Sequence, residues 1–200
     1  MGSHDTDASR RRTRRRWAVF ASLAGAVLVA DQLVKTWVES SFRLAWTHAP
    51  VAGLDAPTPI LGDLVRIAKS YNDGGIFGLF GSSAPILALA SLAVIGLIVV
   101  YQSRTGRTGP TVLTVALGLL LGGALGNLVD RLRFGHVIDF VDTGIGSLRF
   151  YTFNVADSAI SIAVVLLLAL SVLGDRWRSA DPAASAAPPS TAAGSDPVGR

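Results

Sequence analysis

The sequence predicts an all-α membrane protein with four transmembrane helices and a small extracytoplasmic β-containing platform between helices 1 and 2. Half of its 200 residues are hydrophobic and only 16% are charged, which favours insertion into a membrane over a soluble fold. Four apolar segments are each long enough to cross the roughly 30 Å of hydrocarbon in a bilayer. Connections rich in Gly, Pro, Thr and charged residues separate them.

The four segments follow in order along the chain. The first span, residues 17–38, is apolar for about six helical turns and carries Asp31 and Lys35 in its later half. Residues 39–82 mix turn formers with short apolar pieces, a pattern typical of a small sheet outside the membrane. The remaining spans are predicted at residues 84–101, 111–129 and 155–174.

The two ends of the chain differ in composition from the predicted membrane domain at residues 17–174. Residues 1–16 contain six arginines, and residues 175–200 are rich in Ala, Pro and Ser. Both segments are expected to be disordered tails. The basic run resembles the start of a secretory signal peptide, but the apolar stretch after it is too long and lacks a cleavage site, so a retained helix is predicted.

Lys and Arg residues near the span ends predict the orientation. Ten fall on the side of the two termini and six on the opposite side. Because cytoplasmic loops carry more Lys and Arg, both termini are expected to be cytoplasmic. The net charge of +4 arises largely from the arginine run before the first span, which indicates membrane anchoring and does not indicate nucleic-acid binding.

This topology predicts that polar residues distant in sequence meet at one depth, near the extracytoplasmic face. Spans one and three would run outward and span four inward, with the connection between spans three and four joining the same ends. The residues brought together in this way are Asp31, Lys35, Asn127, Asp130, Asp139 and Asp157. Ionisable groups at membrane depth usually face the bundle interior or a hydrated cavity, so their convergence indicates a functional site.

Asp139 and Asp157 are the pair whose chemistry matters most in this set. If they lie together, one can remain protonated while the other is ionised, and such a pair can activate water and protonate a leaving amine. The alternative is that Asp139 is a solvated loop acid and Asp157 an N-cap, with Asn154 as a second cap candidate. Spacing alone leaves both interpretations open.

The other polar residues have simpler interpretations. Asp31 and Lys35 are four residues apart and are expected to form a structural ion pair. Asp130 is interpreted as a helix-end residue and Asn127 as a contact to a neighbouring helix. Arg131 could fill either a helix-end role or one that binds a substrate carbonyl or a lipid headgroup.

Several catalytic classes lack their signature residues. The chain has no cysteine, so disulfides, thiolate metal sites and cysteine nucleophiles are excluded. It contains neither a His-Glu-x-x-His zinc motif nor a Gly-x-Ser-x-Gly nucleophile elbow. No metal and no cofactor is therefore expected.

Five motifs follow one another along the four predicted spans and their connections. They are Asp31-Gln32 with Lys35, Asn72-x-Gly74-x-x-Phe77-Gly78, Gly126-Asn127-x-x-Asp130-Arg131, Gly135-x-Val137-x-Asp139-Phe140 and Phe153-Asn154-x-Ala156-Asp157-Ser158. Together, in this order, they resemble the motifs of the lipoprotein signal peptidase family, also called signal peptidase II, and the resemblance covers about residues 17–174. Gly75-Ile76 departs from the two alanines common in the family and removes no functional group.

The resemblance implies an aspartic endopeptidase of the bacterial cytoplasmic membrane, which cleaves diacylglyceryl-modified prolipoproteins just before the lipidated cysteine. It implies that Asp139 and Asp157 are catalytic, and that Asp31, Lys35 and Asp130 support the fold. The implied substrate-binding residues are Asn72, Gly74, Asn127, Arg131 and Asn154. Membrane lipids and the family's cyclic-peptide inhibitors are further expected partners, the inhibitors at the aspartate pair.

Two other classes of function fit the polar cluster. A small transporter or channel component could relay protons through the same acids, although the chain shows no repeated halves. A membrane scaffold without catalytic activity could use them to join helices. Flux without cleavage would indicate the first, and loss of activity only in unfolded variants the second.

Overall fold

Four long helices form in the computed structural model, which describes residues 3–74, 84–106 and 108–178. They are α1 (Ser3–Ser41), α2 (Ala84–Thr105), α3 (Thr111–Phe134) and α4 (Val155–Arg178). Each contains a segment long and apolar enough to cross a membrane. The predicted number and order of spans are therefore confirmed.

Helix α1 starts well before the predicted span, which corrects the expectation of a disordered basic tail for residues 3–16. Arginine is a good helix former. Asp7 and Arg11 lie one turn apart on this helix and form an ion pair with a distance of 2.8 Å. Helix α4 likewise continues to Arg178, so residues 175–178 are helical. The rest of the expected C-terminal tail lies outside the described residues.

Helix α3 is central and packs against the three other helices. Small residues let the backbones come close: a Cβ atom at Gly122 would lie 2.7 Å from Val27 Cβ, and one at Gly126 would lie 2.6 Å from an oxygen of Asp31. Such spacing of small residues is how helices approach closely within a membrane. The apolar core beside this contact includes Phe20 and Leu117.

A four-stranded antiparallel sheet joins the two connections at one end of the bundle. Its strands are β1 (Thr58–Leu61), β2 (Val65–Asn72), β3 (Val137–Ile145) and β4 (Leu148–Arg149), in that order. The sequence had placed the sheet only between the first two helices, so the contribution of β3 and β4 is a correction. Residues 137–140 are buried one after another, and this removes the alternation that identifies a strand.

The pairing of β2 with β3 determines which polar residues meet. Ser70 lies opposite Asp139, and Asn72 lies opposite Val137. Because β2 follows α1 and β3 follows α3, the sheet brings the ends of these helices and the start of α4 together. Asp139 thus lies in a strand and not in a loop.

Candidate active site

The entry to α4 is closed by a reciprocal cap between Asn154 and Asp157. Asn154 Oδ1 accepts a hydrogen bond from the Asp157 backbone N–H at 2.9 Å, and Asp157 Oδ2 accepts one from the Asn154 N–H at 3.3 Å. This is the geometry of a capping box, with Asn154 as N-cap and Asp157 at the third helical position. The alternative that Asp157 is itself the N-cap is therefore wrong.

Asp157 keeps its second carboxylate oxygen for contacts beyond the cap. Asn127 Nδ2, on α3, donates a hydrogen bond of 2.7 Å to Asp157 Oδ1. Asp157 also borders a cavity of about 370 Å³. The cavity is lined by residues before and within the first turns of α4: Phe150, Tyr151, Thr152, Phe153, Asp157, Ser158 and Ser161.

Asp139 is a buried strand residue, so the alternative of a solvated loop acid is wrong. Its side chain is held by two amides: Asn72 Nδ2 donates to Oδ2 at 3.0 Å, and Asn154 Nδ2 donates to Oδ1 at 2.7 Å. Burial is the largest influence on this carboxyl and raises its pKa to about 6. The hydrogen bond from Asn72 opposes that rise, while the negative charge of Asp157 adds to it.

Asn154 connects the two aspartates directly. Its side-chain nitrogen Nδ2 donates to the Asp139 carboxylate, and its side-chain oxygen Oδ1 accepts a hydrogen bond from the Asp157 backbone N–H. The amide nitrogen also lies 3.2 Å from Asn127 Oδ1, and Asn127 in turn donates to Asp157. Two asparagines from different elements therefore fix the two acids relative to each other, and the Asp157 charge is close enough to act on Asp139.

A buried ion triad of Asp31, Lys35 and Asp130 lies behind these asparagines. Lys35 Nζ is 2.8 Å from a carboxylate oxygen of each acid and donates to Asn127 Oδ1 at 3.2 Å. The free oxygen of Asp31 accepts the Ala156 N–H at 2.9 Å. Asp130 accepts the N–H of Ile138 at 3.2 Å. The ion triad thereby holds the start of α4 and the start of β3, the two segments that carry the aspartates.

Arg131 and Gly74 lie beside the asparagines. The Arg131 guanidinium is 3.3 Å from the backbone oxygen of Asn127, and its charge acts on both Asp157 and Asp139. Gly74 has a φ of 73° and donates its N–H to Asn72 Oδ1 at 2.9 Å. The rest of that sequence motif, residues 75–78, lies outside the described residues.

A second ion cluster, which the sequence did not predict, crosses the sheet. This sheet cluster consists of Asp63, Arg66, Asp142 and Arg149. Asp142 is buried between the two arginines, at 2.5 Å from Arg66 and 3.0 Å from Arg149. Its members are up to 86 residues apart, and the only sequence signal was the spacing of Asp63 and Arg66 by three residues.

The geometry suits acid–base chemistry on a bound substrate. One acid has a raised pKa, the other borders an open cavity, and both are held by amides. Within the described ranges, no group of three or more metal-binding side chains is arranged to hold an ion.

Comparison with known proteins places this geometry in a family. Residues 23–173 match the family model described as signal peptidase (SPase) II. The lipoprotein signal peptidase of Syntrophus aciditrophicus (strain SB) is 38% identical over 156 residues, which cover 75% of this chain and 89% of that protein. The lipoprotein signal peptidase of Staphylococcus carnosus (strain TM300) is 31% identical over 154 residues, covering 77% and 89%.

The fold has a counterpart among solved structures. A structure described as a bacterial membrane enzyme superposes with a TM-score of 0.66 at 24% identity, covering 82% of this chain and 93% of that one. A second such structure gives a TM-score of 0.63 at the same identity.

Proposed function

Because the chain belongs to the signal peptidase II family, which cleaves signal peptides from prolipoproteins, we propose that Asp139 and Asp157 form the catalytic dyad of an aspartic endopeptidase. The chain is a multi-pass bacterial membrane protein, and its substrate in this proposal is a diacylglyceryl-modified prolipoprotein. The cut falls just before the lipidated cysteine. The observation that carries the proposal is the bridge by Asn154: its side-chain amide donates to Asp139 Oδ1, and its backbone N–H donates to Asp157 Oδ2.

In this mechanism the two acids hold one proton between them. Asp139 is the protonated partner, because its pKa is raised to about 6 chiefly by burial. Asp157, at the cavity, is the ionised partner and takes a proton from water as that water attacks the scissile carbonyl. Asp139 donates its proton to the carbonyl oxygen. As the tetrahedral intermediate collapses, Asp157 gives the proton it took from water to the leaving amine, and Asp139 recovers a proton from the hydroxyl that becomes the new carbonyl.

The proposed substrate-binding residues surround the dyad. Asn72, Asn127 and Asn154 orient the carboxylates through the hydrogen bonds described above, which spares the reaction the cost of ordering them. Arg131 offers a planar set of donors to a substrate carbonyl or phosphate. Gly74 permits close approach of a substrate backbone because it has no Cβ. Cyclic-peptide inhibitors of the family would occupy the same place.

The proposal sets the sheet on the extracytoplasmic side and both termini in the cytoplasm, as the Lys and Arg distribution predicts. A lipid-anchored substrate presents its modified cysteine at headgroup depth, so the scissile bond arrives at that depth too. The dyad lies where the helix ends meet the sheet. The cavity at that level is bordered by Asp157 and two serines, so it can admit water while acyl chains stay in lipid.

The decisive experiment incubates purified protein with a diacylglyceryl prolipoprotein and with its unlipidated precursor, and maps cleavage by mass. We expect a cut before the lipidated cysteine only in the lipidated form. Asp139→Asn and Asp157→Asn should each lower the rate by about 10²–10⁴-fold, the usual contribution of a general acid or base. Asp55→Asn, at an exposed acid in the connection after α1, is the matched control and should keep full activity.

Three results would contradict the proposal. These are normal cleavage by either dyad variant, equal cutting of the unlipidated precursor, and loss of activity in a metal chelator. Proton or ion flux by reconstituted protein that cuts no precursor would instead favour a transporter.

A further inference from the structure

The end of the bundle away from the sheet contains a cleft that the peptidase reaction does not use. It lies between the first turns of α1 and the C-terminal end of α2, and its volume is about 590 Å³. The lining residues are Asp7, Arg10, Arg11, Thr13, Arg14 and Ser103. This part of α1 precedes residue 23, where the match to the family begins.

The cleft has an excess of positive charge. Arg11 is paired with Asp7 at 2.8 Å, whereas Arg10 and Arg14 form no ion pair with any side chain that the structure describes. These two arginines are four residues apart, so their side chains lie on the same face of α1, one turn above the other. Two guanidinium groups with this spacing can offer paired donors to one phosphate.

Arg14 lies at the depth of lipid headgroups, and Arg10 lies one helical turn further out, at the water-facing edge of that layer. Trp17 begins the apolar part of α1, and at 1.5 Å per residue Arg14 and Arg10 lie about 4 and 10 Å beyond it along the helix. The headgroup region of a bilayer is roughly 5–7 Å thick on each side of the hydrocarbon. A ligand of this cleft would therefore approach from the membrane surface.

The helix surface that continues from the cleft into the hydrocarbon is apolar. Val99 and Val100, one turn before Ser103 on α2, are exposed. Acyl chains attached to a phosphate in the cleft would lie along this surface, whereas a free phosphate would gain nothing from it. The combination favours a lipid over a soluble anion.

We propose that the cleft formed by Arg10, Arg14 and Ser103 binds the headgroup phosphate of an anionic phospholipid in the leaflet on the side of the N-terminus. The site is separate from the dyad. Its role is to hold α1 and α2 in place at this surface.

The test uses the full-length protein in a neutral detergent, titrated with phosphatidylglycerol and followed by native mass spectrometry of bound lipid. The test variant is Arg10→Gln/Arg14→Gln, since glutamine preserves helix propensity. The matched control is Arg12→Gln/Arg15→Gln, which removes the same charge from exposed arginines that do not line the cleft. Parallel titrations use phosphatidylcholine and inorganic phosphate.

We expect one phosphatidylglycerol to bind the native protein and the control variant. The test variant should lose affinity by about 30-fold, which corresponds to about fivefold for each arginine near an anionic lipid. Phosphatidylcholine should bind far more weakly, and cleavage of the lipidated precursor in detergent should be the same in all forms.

An equal loss of affinity for phosphatidylglycerol in the two double variants would overturn the proposal, because binding would then depend only on total charge. If inorganic phosphate displaced phosphatidylglycerol at a concentration similar to that of the lipid, the proposal would also be overturned in favour of a soluble anion.

Discussion

The ion triad and the sheet cluster are both buried groups of opposite charges at the same end of the molecule, but they differ in balance and in what they touch. The triad has two carboxylates and one cation, and Lys35 and both acids have almost no exposed surface. The sheet cluster has two acids and two cations, and half of the Asp63 side-chain surface is exposed. The triad therefore depends on a single side chain, whereas the cluster has spare partners.

The two groups also differ in their connection to the dyad. Lys35 donates to Asn127, which donates to Asp157, so the triad is one residue away from a proposed catalytic acid. Asp142 lies three residues beyond Asp139 along β3 and binds Arg66 and Arg149 instead. We therefore expect the ion triad to position the dyad and the sheet cluster to stabilise only the sheet.

The largest effect should follow from Lys35→Met. The change leaves two buried carboxylates without their shared cation and should lower the free energy of unfolding by about 3–5 kcal/mol. Thermal unfolding in detergent and the yield of membrane-inserted protein measure it. Arg43→Gln, at an exposed cation just after α1, is the control and should change stability by less than about 0.5 kcal/mol.

A triple variant separates lost pairing from lost packing. Lys35→Met combined with Asp31→Asn and Asp130→Asn removes the uncompensated charges and should regain much of the stability lost in the single variant. If the triple variant is no more stable than Lys35→Met, the triad does not act through charge balance, and its dependence on a single cation does not explain the difference from the sheet cluster.

A smaller loss should follow from Asp142→Asn. The two arginines keep other acceptors, because Arg149 also binds the Asp63 backbone oxygen at 2.6 Å and Arg66 the Thr47 oxygen at 3.0 Å. We expect a loss of about 2 kcal/mol, below the full cost of breaking a buried pair. Cleavage measured well below the unfolding temperature should fall by less than about threefold, and a loss as large as that of the dyad variants would show that the cluster positions the dyad.

The difference between these clusters also marks the limit of the sequence analysis. Asp31 and Lys35 are one turn apart on a helix, so their pairing follows from sequence spacing. The pairing of Arg66 with Asp142 depends on the register of β2 against β3, and β3 was not recognised because its residues are buried on both faces. The four spans followed from length and apolarity alone.

The dyad shows the same limit. Topology predicted that Asp139 and Asp157 approach the same end, but the bridge by Asn154 required a cap geometry that spacing could not distinguish from an ordinary helix start. The continuation of α1 to Ser3 was missed because composition indicated disorder, whereas helix propagation from an adjacent long helix extends even through a charged segment.

The hydrogen bond from Asn72 to Asp139 offers a test through pH. Asp139 must be protonated in the proposed mechanism, and a carboxyl with a pKa of about 6 loses its proton as pH rises through that value. The kcat/KM for a lipidated precursor should therefore fall above about pH 6. Removing the Asn72 amide, which lowers this pKa, should move the fall to higher pH.

The variant is Asn72→Ala, with the pH profile of kcat/KM as the measurement. A shift of one pH unit corresponds to about 1.4 kcal/mol. Ser70→Ala, which removes a neighbouring hydroxyl on β2 that bonds Thr152, should leave the profile in place. A shift of the Asn72→Ala profile to lower pH would mean that the roles assigned to the two acids are reversed.

The pH dependence of stability follows from the same pKa. Since the pKa of Asp139 is raised in the folded protein, the stabilisation from Asp139 is fully present below its unfolded pKa and is lost as pH rises through about 6.

The smallest effect should come from a glutamine, and here the change should stabilise the protein. Gln102 near the end of α2 is fully buried, and neither polar atom of its side chain has a partner among the described residues. Gln32 on α1 instead donates to Asp130 at 2.9 Å. An unsatisfied buried amide costs about 1–3 kcal/mol, and Met has a similar length without polar hydrogens. Gln102→Met should therefore raise stability by about 1 kcal/mol, or the unfolding temperature by about 2–4 °C. Gln32→Met makes the same change at a side chain that has a hydrogen-bond partner, and it should lower the stability. Opposite signs for the two variants would confirm that the hydrogen-bond partners of a buried polar side chain, and not its burial alone, decide whether it stabilises these helices.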